Sequence, residues 1–221
     1  MSRSPTHSKS VTIYQMNAAR VSIAAGILFV LLLGSLHLLE KEFDPTWRFV
    51  SEYALGSFGV LMPLAFLSLA ICLAAIGVAV YPQTRSVVGY LGLAVLALAV
   101  IGLCISAAFK TDPITTSMED LSTSGKMHVL GASLDYSPLA FLLLSFSLAR
   151  HEAWKPIRKW LFITAAISLI LTVVFILSIP QDGVFGPGVF TGLIGRFLLV
   201  SYLAWTGIVA FFALKQSAQQ K

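Results

Sequence analysis

The sequence predicts an all-α membrane protein, built as a polytopic bundle of six transmembrane helices. Of its 221 residues, 57% are hydrophobic and 11% are charged, and the mean hydropathy is +0.85. A soluble domain has about 45–50% apolar and about 25% charged residues. The apolar residues also fall in blocks of about twenty, enough for a helix to cross a ~30 Å hydrocarbon layer, and they lack the alternation of barrel strands. These observations exclude a soluble globular protein.

Six apolar blocks define the predicted helices, because backbone polar groups in lipid must be satisfied within the segment itself. The blocks are Ala18–Leu39, Gly59–Val80, Val87–Phe109, Met127–Ala149, Trp160–Ile179 and Gly188–Leu214. We divide the chain into a flexible N-terminal tail (residues 1–17), one transmembrane domain (18–214) and a C-terminal tail (215–221). Cys72 and Cys104 lie inside apolar blocks without disulfide or zinc spacing, so they are interpreted as small buried hydrophobic residues.

Basic residues predict the orientation, since they concentrate on the cytoplasmic side of a membrane protein. The side with both termini holds ten: Arg3, Lys9, Arg20, Arg85, Arg150, Lys155, Arg158, Lys159, Lys215 and Lys221. The other side holds five: Lys41, Arg48, Lys110, Lys126 and Arg196. Both termini are therefore predicted to be cytoplasmic, in the inner (plasma) membrane. Labelling of single cysteines from outside should reach position 122 and miss position 219.

The two long connections, Glu40–Phe58 and Lys110–Lys126, lie on the predicted outer side, where most of the acidic residues also lie. Long loops are more often functional than simple connectors. Asp44 and Asp112 each precede a proline, a pattern that favours helix capping over catalysis. The net charge of +5 is explained by membrane orientation, so membrane lipid rather than nucleic acid is the expected partner.

Two ionisable residues fall well inside predicted helices, Asp135 in the fourth and Arg196 in the sixth. Each is costly in lipid, by about 2.5–3.5 kcal/mol, and is expected to face a partner inside the bundle. Both lie eight residues after the predicted outer start of their helix, or ~12 Å deep. Gly131 and Gly192 lie on the same helix faces as these charges, which favours close approach. We therefore predict an ion pair between Asp135 and Arg196.

A polar pocket open to the outer side is predicted around this pair. Its candidate residues are His37, Ser51, Glu52, Asp112, His128, Asp135 and Arg196. A structural alternative stands beside it: the charge pair can fix helix register without chemistry, with His128 bonded to a loop. Pro138 lies one turn after Asp135 and frees a backbone carbonyl there.

Catalytic and metal sites have weaker support. Ser51, His128 and Asp112 are the residue types of a serine hydrolase, but no Gly-x-Ser-x-Gly motif is present. His37 and Glu40 share a helix face, yet the sequence contains no His-x-x-x-His pair. No metal and no cofactor are therefore expected, and whether the protein is an enzyme stays open.

A series of short motifs resembles one known family. The motifs are Asp44-Pro45, Val50-Ser51-Glu52-Tyr53-Ala54-Leu55-Gly56, Phe109-Lys110-Thr111-Asp112, Gly125-Lys126-Met127-His128-Val129-Leu130-Gly131-Ala132 and Gly192-Leu193-Ile194-Gly195-Arg196. In this order they resemble the prokaryotic membrane proteins grouped as domain of unknown function 998. The chain departs from that pattern at Lys110, where proline is more usual. The resemblance implies a membrane protein and no established reaction.

Three classes of function are compatible with these residues. The favoured hypothesis is binding, with possible processing, of an anionic lipid-like molecule, because a guanidinium beside an apolar cavity suits a phosphate or carboxylate headgroup. The alternatives are a structural or assembly subunit with a membrane-protein partner, and a small-molecule transporter. The transporter alternative lacks an inverted repeat and a pair of broken helices in the sequence.

Overall fold

The computed structural model describes the backbone of residues 5–219 and the side chains of residues 13–216. Its regular secondary structure in that range is entirely helical. The α-helices are α1 (Pro5–Leu39), α2 (Leu61–Val80), α3 (Val87–Ala108), α4 (Thr123–Ser133), α5 (Ser137–Leu148), α6 (Arg158–Ser178) and α7 (Thr191–Gln219). Short 3₁₀ helices occur at Val50–Leu55, Tyr81–Gln83 and Glu152–Ile157.

Six helical segments are long and apolar enough to cross a membrane, which confirms the predicted six-span, all-α fold. They are Ile13–Leu39, Leu61–Gln83, Val87–Ala108, Thr123–Leu148, Glu152–Ser178 and Thr191–Gln216. The first helix begins at Pro5 and so includes most of the predicted N-terminal tail. The tail boundaries and the orientation of the bundle stay predictions. We call the end that carries residues 40–60 and 109–122 the long-loop end; it is the predicted outer end.

The spans pack in a ring. Helix α1 packs between α2 and α7, α3 packs against α2 and against both α4 and α5, and α6 joins α5 to α7. In the interior, the ring of Phe141 stacks on Trp205 with centroids 4.5 Å apart, and Tyr202 meets Phe141 edge-on. The exposed side chains of α6 are mostly Ile, Val and Leu, as expected for a face toward lipid.

The fourth span is broken in its middle, between α4 and α5. In a continuous helix the carbonyl of Leu134 accepts from the amide of residue 138, which here is a proline without an N–H. The Leu134 carbonyl instead accepts from the amide of Tyr136 at 2.9 Å. The loss of the helical hydrogen bond to the Leu134 carbonyl was expected from Pro138; the complete separation into two helices was not.

Glycines set the closest approach of α3 and α4. A Cβ atom added at Gly102 would lie 2.4 Å from the Gly131 carbonyl oxygen, and one added at Gly131 would lie 2.7 Å from that of Gly102. Small residues at such crossings allow backbones to touch. The glycine face of α4 is therefore turned to α3, which decides how the charged residues are placed.

The segment after Asp44 is a turn, and not the start of the helix that the Asp-Pro pair was expected to cap. The Asp44 carboxylate accepts from the Thr46 amide at 2.9 Å and from its hydroxyl at 2.7 Å. The 3₁₀ helix begins only at Val50. Asp44 thus stabilises the turn, as short polar side chains commonly do.

Candidate functional site

The side chain of Arg196 lies at the long-loop end of α7 and contacts α1 and the 3₁₀ helix Val50–Leu55. Its Nε donates to Nε2 of His37 at 2.7 Å, and its Nη2 donates to the Tyr53 hydroxyl at 3.0 Å. The Nδ1 of His37 lies 2.7 Å from the carbonyl of Leu33. Because Nε2 accepts, Nδ1 carries the proton and donates to this carbonyl, so the imidazole is neutral.

Backbone carbonyls complete the environment of Arg196. Its Nη1 is 2.8 Å from the Arg48 carbonyl oxygen and 3.0 Å from those of Pro45 and Gly192. The loop approaches α7 closely, since a Cβ atom at Gly192 would lie 2.4 Å from the Arg48 oxygen. The amide of Leu193 also donates to the Thr46 carbonyl at 2.9 Å. Arg196 therefore fastens the first long loop to α7.

The carboxylate of Glu52 joins the two long loops and is almost completely buried. It accepts from Arg48 Nη1 at 2.6 Å and from the amides of Phe49 and Ile114 at 3.1 and 2.9 Å. The Arg48 guanidinium lies over the ring of Trp47, 4.3 Å from its centroid. Charge-assisted bonds of this kind are roughly twice as strong as neutral ones, so Glu52 holds the two long loops together.

The predicted ion pair between Asp135 and Arg196 is wrong. The two ion pairs found among the described side chains are Arg48–Glu52 and Lys155–Glu152. Helix α4 begins at Thr123 and α7 at Thr191, so Asp135 lies twelve residues from the long-loop end and Arg196 only five. At 1.5 Å per residue their depths differ by ~10 Å.

The glycine faces also point to different neighbours. Gly131 packs on Gly102 of α3, whereas Gly192 packs on the backbone of Trp47 and Arg48. The two glycine-lined faces were expected to meet each other. Because each meets a third element instead, they do not bring the charges together.

Asp135 lies at the break of the fourth span. Its Oδ1 accepts from the Ser137 amide at 3.1 Å and from the Ser137 hydroxyl at 2.5 Å. The Tyr202 hydroxyl of α7 lies near this carboxylate and interacts with it. Tyr202 lies eleven residues after Thr191 and therefore matches the depth of Asp135, which Arg196 does not.

His128 is buried between α3 and α2. Its Nδ1 lies 2.8 Å from the Phe109 carbonyl and 3.0 Å from that of Ser106, and its ring packs on Phe66 with centroids 5.9 Å apart. Both neighbours of Nδ1 are acceptors, so Nδ1 carries a proton. The loop bonding considered as a structural alternative for His128 is thus present, and Nε2 is the nitrogen left for other partners.

A cavity of about 240 Å³ opens beside His128. We call it the His128 cavity. Its lining is mostly apolar, with Lys110 and Ser106 as further polar residues. The lining residues are Ala54, Gly59, Val60, Pro63, Phe66, Ser106, Ala107, Ala108, Phe109, Lys110 and His128. A second cavity, of about 280 Å³, lies between α1, α2 and α7 beside Cys72 and is almost wholly apolar.

The remaining predicted residues support the loops. The Asp112 carboxylate accepts from the amide and the hydroxyl of Ser122 at 2.7 and 3.0 Å, and the Ser122 hydroxyl caps α4 by accepting from Gly125. Ser51 is buried in the 3₁₀ helix. The hydrogen bonds described for Ser51, His128 and Asp112 do not join them into a catalytic triad, and residues 13–216 contain no group of three or more potential His, Cys, Asp or Glu metal ligands.

The residues predicted to form one pocket therefore lie at three separate sites. His37, Glu52 and Arg196 belong to one network with Arg48 and Tyr53. His128 borders its own cavity with Lys110, and Asp135 is joined to Tyr202 in the middle of the membrane span. Sequence reasoning missed Arg48, Tyr53, Lys110 and Tyr202 as site residues. Arg48 could have been found from its i, i+4 spacing to Glu52. The other three residues are site residues only through tertiary contacts.

The family comparison covers most of the chain. Residues 23–211 match the family described as a protein of unknown function, DUF998. No curated protein and no solved structure matches the sequence. With its six apolar spans, the chain is a multi-pass integral membrane protein and belongs to the DUF998 family.

Proposed function

We propose that this protein binds an anionic amphiphile in the His128 cavity, at the long-loop end of the bundle. The observation that carries the proposal is the composition of the cavity: apolar walls, one lysine, and a histidine for whose Nε2 no hydrogen bond is found within the described part of the chain. Pockets for small molecules commonly combine apolar walls with a few orienting polar groups. The volume of about 240 Å³ suits part of an acyl chain rather than a whole lipid.

The lining residues suggest how such a molecule lies. Phe66, Pro63 and Val60 of the α2 side offer apolar contact to a hydrocarbon chain. Lys110 is exposed and supplies a positive charge for a phosphate or carboxylate, while Nε2 of His128 hydrogen-bonds the headgroup. The buried Glu40 and Glu52 carboxylates are bonded to backbone amides of Phe58 and Ile114 and do not line the cavity.

This proposal changes the role expected for Arg196. Its guanidinium has five protein acceptors and fastens a loop, so Lys110 replaces it as the group that attracts the headgroup. The seven residues of the predicted pocket thus contribute unequally. His128 contacts the ligand, and Asp112 supports the loop that follows Lys110.

Binding can be measured by native mass spectrometry of delipidated protein titrated with phosphatidylglycerol or with phosphatidylcholine of the same acyl chains. Wild type is expected to prefer the anionic lipid, and Lys110→Gln to lose most of that preference. Lys126→Gln is the matched control, because Lys126 is an exposed lysine at the same end but does not line the cavity. Lys155→Gln controls for charge at the opposite end.

A cavity-filling variant distinguishes the contribution of the lipid tail to binding from that of the headgroup. Ala107→Phe adds bulk to the cavity wall and should weaken binding of both lipids, whereas Lys110→Gln weakens only the anionic one. Equal binding of both lipids by wild type, Lys110→Gln and Lys126→Gln would contradict the proposal. In that case a structural or assembly subunit becomes the better hypothesis.

A further inference from the structure

The Asp135 carboxylate occupies the middle of a membrane span without a basic partner. It is the thirteenth residue of the 26-residue span Thr123–Leu148, and neither ion pair found among the described side chains includes it. Asp135 is partly accessible, whereas Ser137 and Tyr202 are buried. Ionisable residues at this depth are costly and commonly mark ion or substrate pathways.

Ser137 supplies two donors to Asp135, and both reach the same carboxylate oxygen. The Ser137 amide donates to Oδ1 at 3.1 Å and the Ser137 hydroxyl donates to it at 2.5 Å, and the Tyr202 hydroxyl lies near the same carboxylate. An ionised carboxylate only accepts hydrogen bonds, whereas a protonated one must also donate. Neither ion pair found among the described side chains includes Asp135, so its ionised form has no basic partner there.

The helix break adds backbone oxygen atoms. In a continuous helix the Ser137 amide would bond the carbonyl of Ser133, but here it donates to the Asp135 side chain at 3.1 Å. The Ser133 carbonyl, at the C-terminal end of α4, is thereby released. Where membrane helices are interrupted, unwound carbonyls and the C-terminal ends of half-helices commonly coordinate Na⁺.

We propose that Asp135 is the centre of a Na⁺ site at the break of the fourth span. The Asp135 carboxylate supplies the charge, and the Ser137 hydroxyl, the Tyr202 hydroxyl and the Ser133 carbonyl supply further oxygen ligands. The Ser137 hydroxyl keeps lone pairs after donating its hydrogen to the carboxylate. Oxygen-only ligands suit a hard cation and not a transition metal.

The nearby basic residue Arg196 does not neutralise Asp135. Arg196, the basic residue six positions before Tyr202, is committed to His37, Tyr53 and loop carbonyls. The proposal is independent of the anionic amphiphile, because the His128 cavity does not include Asp135 or Tyr202.

The test compares purified full-length protein in NaCl and in choline chloride at equal ionic strength. A ligand that binds only the folded state raises Tm with its concentration, so Na⁺ should raise the Tm of wild type. Asp135→Asn keeps the size of the side chain and removes its charge, and it should abolish this shift. Asp182→Asn, in an exposed loop, is the matched control and should keep it.

Direct binding of ²²Na⁺ gives a second readout that does not depend on stability. Wild type and Asp182→Asn should bind the isotope, Tyr202→Phe should bind it several-fold more weakly, and Asp135→Asn should not bind it. If Asp135→Asn does not fold, Tyr202→Phe and Ser137→Ala carry the test. Equal Tm of wild type in Na⁺ and choline, together with no bound ²²Na⁺, would overturn the proposal and indicate that a proton neutralises Asp135.

Discussion

Arg196 and Asp135 are both charges inside membrane spans, but the protein accommodates them differently. Arg196 lies near the end of its span, where loop carbonyls, His37 and Tyr53 surround it. Asp135 lies at mid-span, where its hydrogen-bond partners come from Ser137 at the helix break. The guanidinium uses all three of its nitrogens to donate to protein acceptors, whereas neither ion pair found among the described side chains includes the Asp135 carboxylate.

The difference indicates that depth decides the role of a membrane charge. Near the end of a span, a long cationic side chain reaches polar loops and becomes a structural fastener. At mid-span no loop is within reach, and ionisable residues at that depth commonly mark ion or substrate pathways. We therefore expect variants of Arg196 to affect folding, and variants of Asp135 to affect ion binding.

The largest effect is expected for Arg196→Met, which removes every hydrogen bond of the guanidinium. Buried acceptors left without donors cost about 1–3 kcal/mol each, so we expect a loss of about 3 kcal/mol, or roughly 6–12 °C in Tm. In choline chloride, without Na⁺, Asp135→Asn should change Tm much less. Thermal unfolding in detergent, followed by size-exclusion chromatography, compares the two variants. Equal losses would remove the contrast between structural and binding charges.

A moderate effect is expected for Gly192→Ala, which tests how tightly the first long loop is fastened. The added Cβ would lie 2.4 Å from the Arg48 carbonyl and 2.8 Å from the Trp47 carbonyl carbon, so the loop must shift away from Arg196. Overpacking of this kind costs about 1–3 kcal/mol.

Gly207→Ala is the control for this variant. It lies on the same helix, and nothing is within 4 Å of its added Cβ. We expect it to be neutral or slightly stabilising, because alanine is the better helix former. A Tm for Gly192→Ala equal to that of Gly207→Ala would show that the loop is not held against α7.

Sequence patterns predicted the spans well because hydrophobic length is a property of each segment alone. Predicting which polar residues meet required the exact start of each helix, which the sequence pattern did not provide. Counting from Met127 and Gly188 put Asp135 and Arg196 at equal depth, but the helices begin at Thr123 and Thr191. Ser122 extends α4 outward by capping it, and the link between Glu52 and Ile114 joins residues 62 positions apart. Such long-range contacts leave no local pattern.

A small coupling is expected between Asp135 and Arg196, since they are not partners. A double-mutant cycle with Asp135→Asn and Arg196→Met should give additive losses within about 0.5 kcal/mol. The cycle with Arg196→Met and Tyr53→Phe, which share a hydrogen bond of 3.0 Å, is the positive control and should be non-additive. Strong coupling in the Asp135 cycle would restore the ion pair predicted from the sequence.

The smallest effect is expected at Asp44, an exposed charge outside the spans. Hydrogen bonds from the Thr46 hydroxyl, and secondly from the Thr46 amide, lower the pKa of the Asp44 carboxyl below its ordinary value of 3.8. A lowered pKa means that the folded protein prefers the ionised form, so the stabilisation is present above pH 3.8 and is lost as pH falls through the lowered pKa. The Tm difference between wild type and Asp44→Asn should therefore be small, be largest above pH 3.8 and close below it. Thr46→Ala should reduce this pH dependence, because it removes the hydroxyl donor. If the Tm difference instead grows as pH falls, the protonated Asp44 carboxyl stabilises the turn more than the ionised one does. That outcome would contradict the prediction.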